Sequence, residues 1–256
     1  MASRKEQREQ ARAEREKREA EEQAKAKRKR NLLLLGGAVA LAAVVVVVAV
    51  VISSGGSSKK GGSAKGDAVG ATQATQLLDG IPQKGSTLGN PKAPITLTEF
   101  ADLQCPFCRD YTLNQFPALV GKYVKTGKVK MVFQNYAFIG PDSLTAALAA
   151  EAAGKQNKLW HFIDVFYNNQ GRENTSYVTD KFLTKIANGA GVDAKKMLTD
   201  RDDPSARQAV ASAQQSAASA GVNSTPTFVL KKGAGPAQKL SADQVEGALA
   251  KATGSP

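Results

Sequence analysis

Ile95-Thr96-Leu97-Thr98-Glu99-Phe100-Ala101-Asp102-Leu103-Gln104-Cys105-Pro106-Phe107-Cys108 sets an apolar stretch, a short turn and two thiols in immediate succession. Residues 95–100 mix β-branched and apolar side chains in rough alternation and read as a strand. From Pro106 the apolar positions Tyr111, Phe116, Leu119, Val120 and Tyr123 follow helical spacing, and the pattern stops near Gly127. Residues 129–136 read as a second strand. Strand, helix, strand in that order favours parallel pairing and an α/β sheet.

Further along the chain, residues 141–221 turn helical. Residues 143–154 are Ala-rich, 158–168 carry Leu159, Trp160, Phe162, Ile163 and Phe166, 181–188 are apolar on one face, and 204–220 form an Ala/Ser/Gln helix ending at Gly221. Residues 225–230 then read as a strand, and 241–252 as a closing helix with Ser241 as its N-cap. The α/β pattern is thus split by a helical insertion.

Upstream, residues 32–52 hold 21 residues without a charge, enough for a helix to cross a hydrocarbon core of about 30 Å. A cleaved signal peptide would have a shorter apolar region and a small-x-small cleavage site. The leader of 30 residues holds twelve Lys/Arg against seven Glu. The basic cluster ending at Arg30 places that side in the cytoplasm by the positive-inside rule. The expected organisation is a charged cytoplasmic tail (1–30), a single transmembrane helix (31–52), a Gly/Ser-rich linker (53–85, with a short helix near 75–78) and an extracytoplasmic domain (86–256). The protein is thereby expected at the cell membrane as a single-pass protein. A formal charge of +12 raises nucleic acid as a partner, but no compact basic patch interleaved with aromatics is visible, and none is expected.

The chemistry rests on few residues. Two cysteines cannot build a disulfide scaffold or a four-cysteine zinc site, and the chain has one histidine, His161. A lone C-x-x-C can also be half a metal site or a pair of small buried side chains. Its position favours redox chemistry. Cys105 falls at the N-cap with Pro106 at the first helical position, where free N–H groups and the helix dipole lower a thiol's pKa. Cys108, one turn deeper, is placed to close a disulfide and to resolve a mixed one. Glu99 is either a buried carboxylate that takes the Cys108 proton or an edge-strand residue facing solvent. Thr225-Pro226-Thr227 is either a loop boundary or a cis-proline turn that offers Thr225's backbone to an extended substrate.

Together, Glu99-Phe100, Cys105-Pro106-Phe107-Cys108, the helical insertion and Thr225-Pro226-Thr227-Phe228 resemble the DsbA-like branch of the thioredoxin superfamily, and within it membrane-anchored bacterial members. The resemblance covers about residues 86–252. It implies a thioredoxin fold with an inserted helical domain, Cys105 as exposed nucleophile, Cys108 as buried partner and Glu99 as buried acid. It also implies that Thr225 and Pro226 form a cis-proline loop that meets substrate together with Pro106 and Phe107. The only redox group implied is the Cys105–Cys108 disulfide itself, with no added cofactor or metal. The implied partners are thiols of exported proteins and a quinone-linked reoxidase in the membrane. Trp160-His161-Phe162 resembles a family segment, and His161 there reads as structural. Phe107 departs from the histidine that strongly oxidising members often carry between the cysteines. Residues 231–239 look irregular for the strand expected there.

Overall fold

A computed structural model describes residues 68–254. Its first helix, α1 (Ala71–Leu78), buries Ala74 and Leu78. Gly70 turns the chain into it at φ 82°, where an added Cβ would lie 2.4 Å from Asn168. The tether expected up to residue 85 is therefore folded from Ala68 onward. Its Ala/Thr/Gln composition hides this, because the buried stripe is made of one alanine and one leucine a turn apart. The remainder of the expected linker, the charged tail and the run 32–52 lie outside the described residues. Among the described residues no helix is long and apolar enough to cross a membrane.

The sheet contains β1 (Gln83–Lys84), β2 (Thr87–Leu88), β3 (Ile95–Ala101), β4 (Val129–Asn135), β5 (Thr227–Lys232) and β6 (Gln238–Leu240), in the spatial order β1-β2-β4-β3-β5-β6. The central pair β3–β4 is parallel, from Ile95 opposite Val129 to Ala101 opposite Asn135. β5 runs antiparallel to β3 on its other side, with Glu99 opposite Phe228. Paired residues share a face, so Leu97, Glu99, Met131, Phe133, Phe228 and Leu230 all point into the main core, where all are buried. Residues 231–239 are irregular only at their centre: β5 runs on through Lys232, residues 233–237 turn, and β6 folds back to pair Leu230 with Gln238.

Between β3 and β4 the expected single helix is broken. α2 (Pro106–Asn114) ends at Gln115, α3 (Phe116–Leu119) follows, and residues 120–124 open into a wider turn in which Lys125 N–H bonds the Val120 carbonyl. Pro117 explains the break, because it has no N–H to give and its ring crowds the turn before it. The apolar spacing survives the break, so Phe116, Leu119, Val120 and Tyr123 are still buried.

The helical insertion comprises α4 (Pro141–Lys155), α5 (Leu159–Asn168), α6 (Asp180–Gly189), α7 (Ala194–Asp200) and α8 (Pro204–Ser219), before the closing helix α9 (Ala242–Thr253). The apolar pattern does not reveal α7; Asp193 caps it by accepting from Lys196 N–H. Ser241 caps α9 in a capping box with Gln244. α5 is the pillar of the insertion. Trp160 stacks on Phe116 at 5.4 Å between ring centroids, meets Phe133 edge-on at 5.8 Å, and donates its indole N–H to the Ser86 carbonyl. His161, 3% exposed, ties α5 to the N-terminal segment: Gln83 Nε2 lies 2.9 Å from Nδ1, and Nε2 lies 2.9 Å from Asp79 Oδ1. With Gln83 donating to Nδ1, the neutral ring gives its one proton to Asp79. Burial makes the charged ring costly, so the pKa of His161 falls below the ordinary value, and its role is structural.

Candidate redox site

The end of β3 delivers its chain straight into the thiol turn. Asp102, 1% exposed, organises that turn. Its Oδ1 accepts from Gln104 N–H at 2.8 Å, its Oδ2 from the N–H groups of Phe138 and Ile139, and its carbonyl from Cys105 N–H. The carboxylate thus binds the loop after β4 to the segment before Cys105. Cys105 is the N-cap of α2, with Pro106 at the first helical position. It is only 4% exposed, so the exposed nucleophile implied by family resemblance is instead a recessed one; Pro106 and Phe107 are the exposed part of the turn, Phe107 at 70%.

Both cysteines are free thiols. Their environments separate them. A hydrogen bond from the Cys108 thiol pulls the pKa of Cys105 down to about 6, aided by Thr225 and by the N–H groups of Cys108 and Phe107, while burial opposes the change. Cys108 is fully buried, and burial first and Cys105 second push its pKa well above the ordinary thiol value. One sulfur is therefore a thiolate at neutral pH and the other holds its proton. This gives an expected result: the rate of alkylation of the reduced protein by iodoacetamide rises with a midpoint near pH 6, and peptide mapping finds the label on Cys105 alone. A midpoint near 9, the value of an ordinary thiol, would show that Cys108 and its neighbours do not activate Cys105.

Glu99 lies in the central strand β3 and is 1% exposed, which removes the solvent-facing alternative. Burial raises its pKa to about 8, and its Oε1 has no hydrogen-bond partner. It shares a face with Phe228, whose ring lies 4.6 Å from that of Tyr111 on α2, and its charge acts on both Cys108 and Tyr111. An acid that titrates near neutral pH is thus walled in behind the inner thiol.

The fourth member comes from 120 residues away. The Thr225–Pro226 peptide bond is cis, and the Thr225 carbonyl accepts from Cys105 Sγ at 3.4 Å. Thr225 and Pro226 are half-buried beside the cysteines, so all of Cys105, Cys108, Glu99, Thr225, Pro226, Pro106 and Phe107 gather at one end of the sheet.

The helical insertion reaches this site through residues that its sequence does not advertise. Gln170 Nε2 donates to the carbonyls of Leu103 and Cys105, Gln104 bridges Ser143 Oγ and Asn174 N–H, Tyr167 donates its hydroxyl to the Asp102 carbonyl, and Arg109 Nε donates to the Tyr167 carbonyl. In the whole network, only the contacts from Asp102 to Gln104 N–H, an Asx turn two residues long, and to Cys105 N–H, three residues on, are local enough to be read from sequence.

The family profile described as thioredoxin matches residues 83–250. The chain belongs to the thioredoxin family. Among its relatives in that family, a probable disulfide bond formation protein D of Bacillus cereus is 39% identical over 102 residues, covering 39% of this chain and 47% of the relative. Disulfide bond formation protein D of Bacillus subtilis is 33% identical over 119 residues, covering 45% of this chain and 54% of the relative. The chain thus spans about half the length of the curated relatives it matches. The crystal structure of oxidised BdbD from Bacillus subtilis superimposes with a TM-score of 0.59 at 23% identity, over 68% of this chain and 97% of that one. At that identity the likeness speaks for the fold, a thioredoxin-like α/β sheet with a helical insertion.

Proposed function

We propose that the protein is a thiol–disulfide oxidoreductase that introduces disulfides into exported proteins, held at the outer side of the membrane by residues 31–52. The observation that carries the reading is the split pair, an activated Cys105 and a protonated Cys108, backed by the buried acid Glu99 and faced by Thr225. The names of the Bacillus relatives support the same chemistry.

The electrons move in two steps. A substrate thiolate attacks Cys105 Sγ of the Cys105–Cys108 disulfide; the S–S bond breaks and Cys108 leaves, taking a proton from Glu99. A second substrate thiolate then attacks the substrate sulfur of the mixed disulfide, and Cys105 leaves as a thiolate that the helix terminus stabilises. Two electrons pass from substrate to protein, and the substrate leaves as a disulfide. Exposed Phe107 and Phe138 (70% and 51%), the latter on the loop pinned by Asp102, offer apolar contact to an unfolded chain, and Thr225 and Pro226 offer it backbone. A membrane partner linked to quinones is the proposed source of reoxidation.

The test is the reduction potential of the purified protein in glutathione buffers. Stabilising the reduced form through Cys105 raises the potential, so a value at or above about −180 mV is expected. A value near about −270 mV would overturn the donor reading and leave a reductase built on the same pair.

A further inference from the structure

The described charges divide sharply along the chain. Residues 141–221, the helical insertion, hold nine Lys/Arg and nine Asp/Glu. Residues 83–140 and 222–254, which build the sheet half, hold eleven Lys/Arg and five Asp/Glu, and two of those five, Glu99 and Asp102, are each only 1% exposed. The excess positive charge therefore belongs to the surface of one half.

Within that half the lysines gather at one pole. Cys105 follows the C-terminal end of β3. Lys130 lies near the opposite end, beside Thr96, and Lys231 pairs with Thr96 from the other side, so a row Lys130, Thr96, Lys231 crosses three strands on one face. That is the sheet face away from Glu99, and along it Thr96, Thr98, Lys130, Val132 and Val229 are only half-buried. Lys232 ends β5, Lys125 and Lys128 flank the turn into β4, Lys92 precedes β3, and Lys251 lies at the end of α9, whose Ala252 carbonyl accepts from Lys232 Nζ. All of these but Lys130 are exposed. Residues 90–98, 124–132, 230–235 and 250–254 contain no Asp or Glu. Asp79, which borders a cleft with Asn90 and Lys125, is held by Lys158 at 3.6 Å and by His161.

We infer that this pole is a docking surface for an anionic lipid bilayer, and that it turns the cysteine end of the sheet away from the membrane. The inference rests on the membrane anchoring of the proposed function. The pole is built from lysines, compact point charges that suit a field of headgroups rather than bidentate recognition of one carboxylate or phosphate. The uncharged run ends at Ile52, and fifteen residues, a reach of about 50 Å, separate it from Ala68; Val69 bonds Asn169, next to the Gln170 that holds the Cys105 carbonyl, so the chain enters the domain at its cysteine end and that reach has to span the sheet as well for the lysine pole to meet the bilayer. The seven-residue β3, at about 3.3 Å per residue, separates the two ends of the sheet by about 20 Å, so docking leaves Cys105 open to clients.

Full-length protein reconstituted in nanodiscs tests this without altering the redox site. Lysine acetylation is followed by mass spectrometry in discs of neutral phosphatidylcholine and in discs containing phosphatidylglycerol. Lys92, Lys231 and Lys232 are expected to react about threefold or more slowly in the anionic discs, with Lys185 and Lys195 of the insertion unchanged, and the difference is expected to vanish near 0.5 M salt, roughly where screening shortens to a few ångströms. The charge-reversed variant K92E/K231E should lose the protection at Lys232. Retention in neutral discs with equal rates in both lipids would overturn the docking surface alone. Loss of the protein from neutral discs would overturn the anchor, and the docking inference with it.

Discussion

Cys105→Ser is expected to abolish disulfide transfer to a reduced, unfolded client, and Cys108→Ser to stop the reverse exchange, with a client that carries a disulfide, half-way. Serine cannot form or break an S–S bond, and its hydroxyl is not ionised at neutral pH, so the first variant is expected to lose activity by at least about a thousandfold. In the second variant the Cys105 thiolate survives and, given a client that already carries a disulfide, attacks it: a Cys105–client S–S bond forms as the client's own S–S bond breaks and its other sulfur leaves as a thiolate. No neighbouring thiol then displaces the client, so a mixed disulfide between Cys105 and the client accumulates. A non-reducing gel with mass mapping distinguishes the two. If Cys108→Ser traps nothing while Cys105→Ser does, the assignment of the roles must be reversed. Because Cys105 is 4% exposed and Cys108 fully buried, the order also follows from access: a client can reach only one sulfur.

Glu99→Gln separates stability from rate. The folded-state pKa of Glu99 is raised to about 8 from 4.5, so the folded protein favours the protonated form. Below the unfolded pKa Glu99 is neutral in both states and costs nothing through ionisation. As pH rises from there towards 8 the unfolded chain ionises freely while the folded one resists, so stability is progressively lost, and above 8 the loss levels off. A glutamine of the same shape is exempt. The variant is expected to match the parent near pH 4, to exceed it by about 3 kcal/mol at pH 7 and by about 5 kcal/mol at pH 9, as read by urea denaturation of the oxidised protein. The same change removes the proton carrier behind Cys108 and should slow the step that exchanges that thiol by about a hundredfold at neutral pH. A stability gap that stays flat with pH would show that Glu99 is not held protonated by burial.

The central strand, the thiol turn and the parallel return were legible because each is a local pattern: alternation over residues 95–100, a proline after the first cysteine, a second apolar strand from Val129. The acid six residues before Cys105 could be noticed, but whether it faced core or solvent depended on β5 covering β3, a pairing between residues more than 120 positions apart. The break at Pro117 was masked because apolar spacing continues through it. β1 and β2, two residues each, are too short to carry a period, and β6 was hidden by the Gly- and Pro-containing turn that lets it fold back. The residues that hold the thiol turn in place, Asp102, Gln104 and Gln170, are polar residues of the kind that fill any loop. Their meaning lies in partners 36 to 70 positions away, for which a single sequence carries no signal.

The bonds from Gln170 and Asn174 to the thiol turn bear on how this chain can be taken apart. An insertion that merely decorated a sheet could be cut out, exchanged with that of a cousin or shortened, leaving a minimal enzyme behind. Here the carbonyl of Cys105 itself and the side-chain amide of Gln104 are held by the inserted segment, and the Asp102 carbonyl by its Tyr167. The two halves are therefore not modules joined at a seam. They share the loop that carries the thiols, and a chimera that swaps the insertion must carry the matching residues of that loop with it.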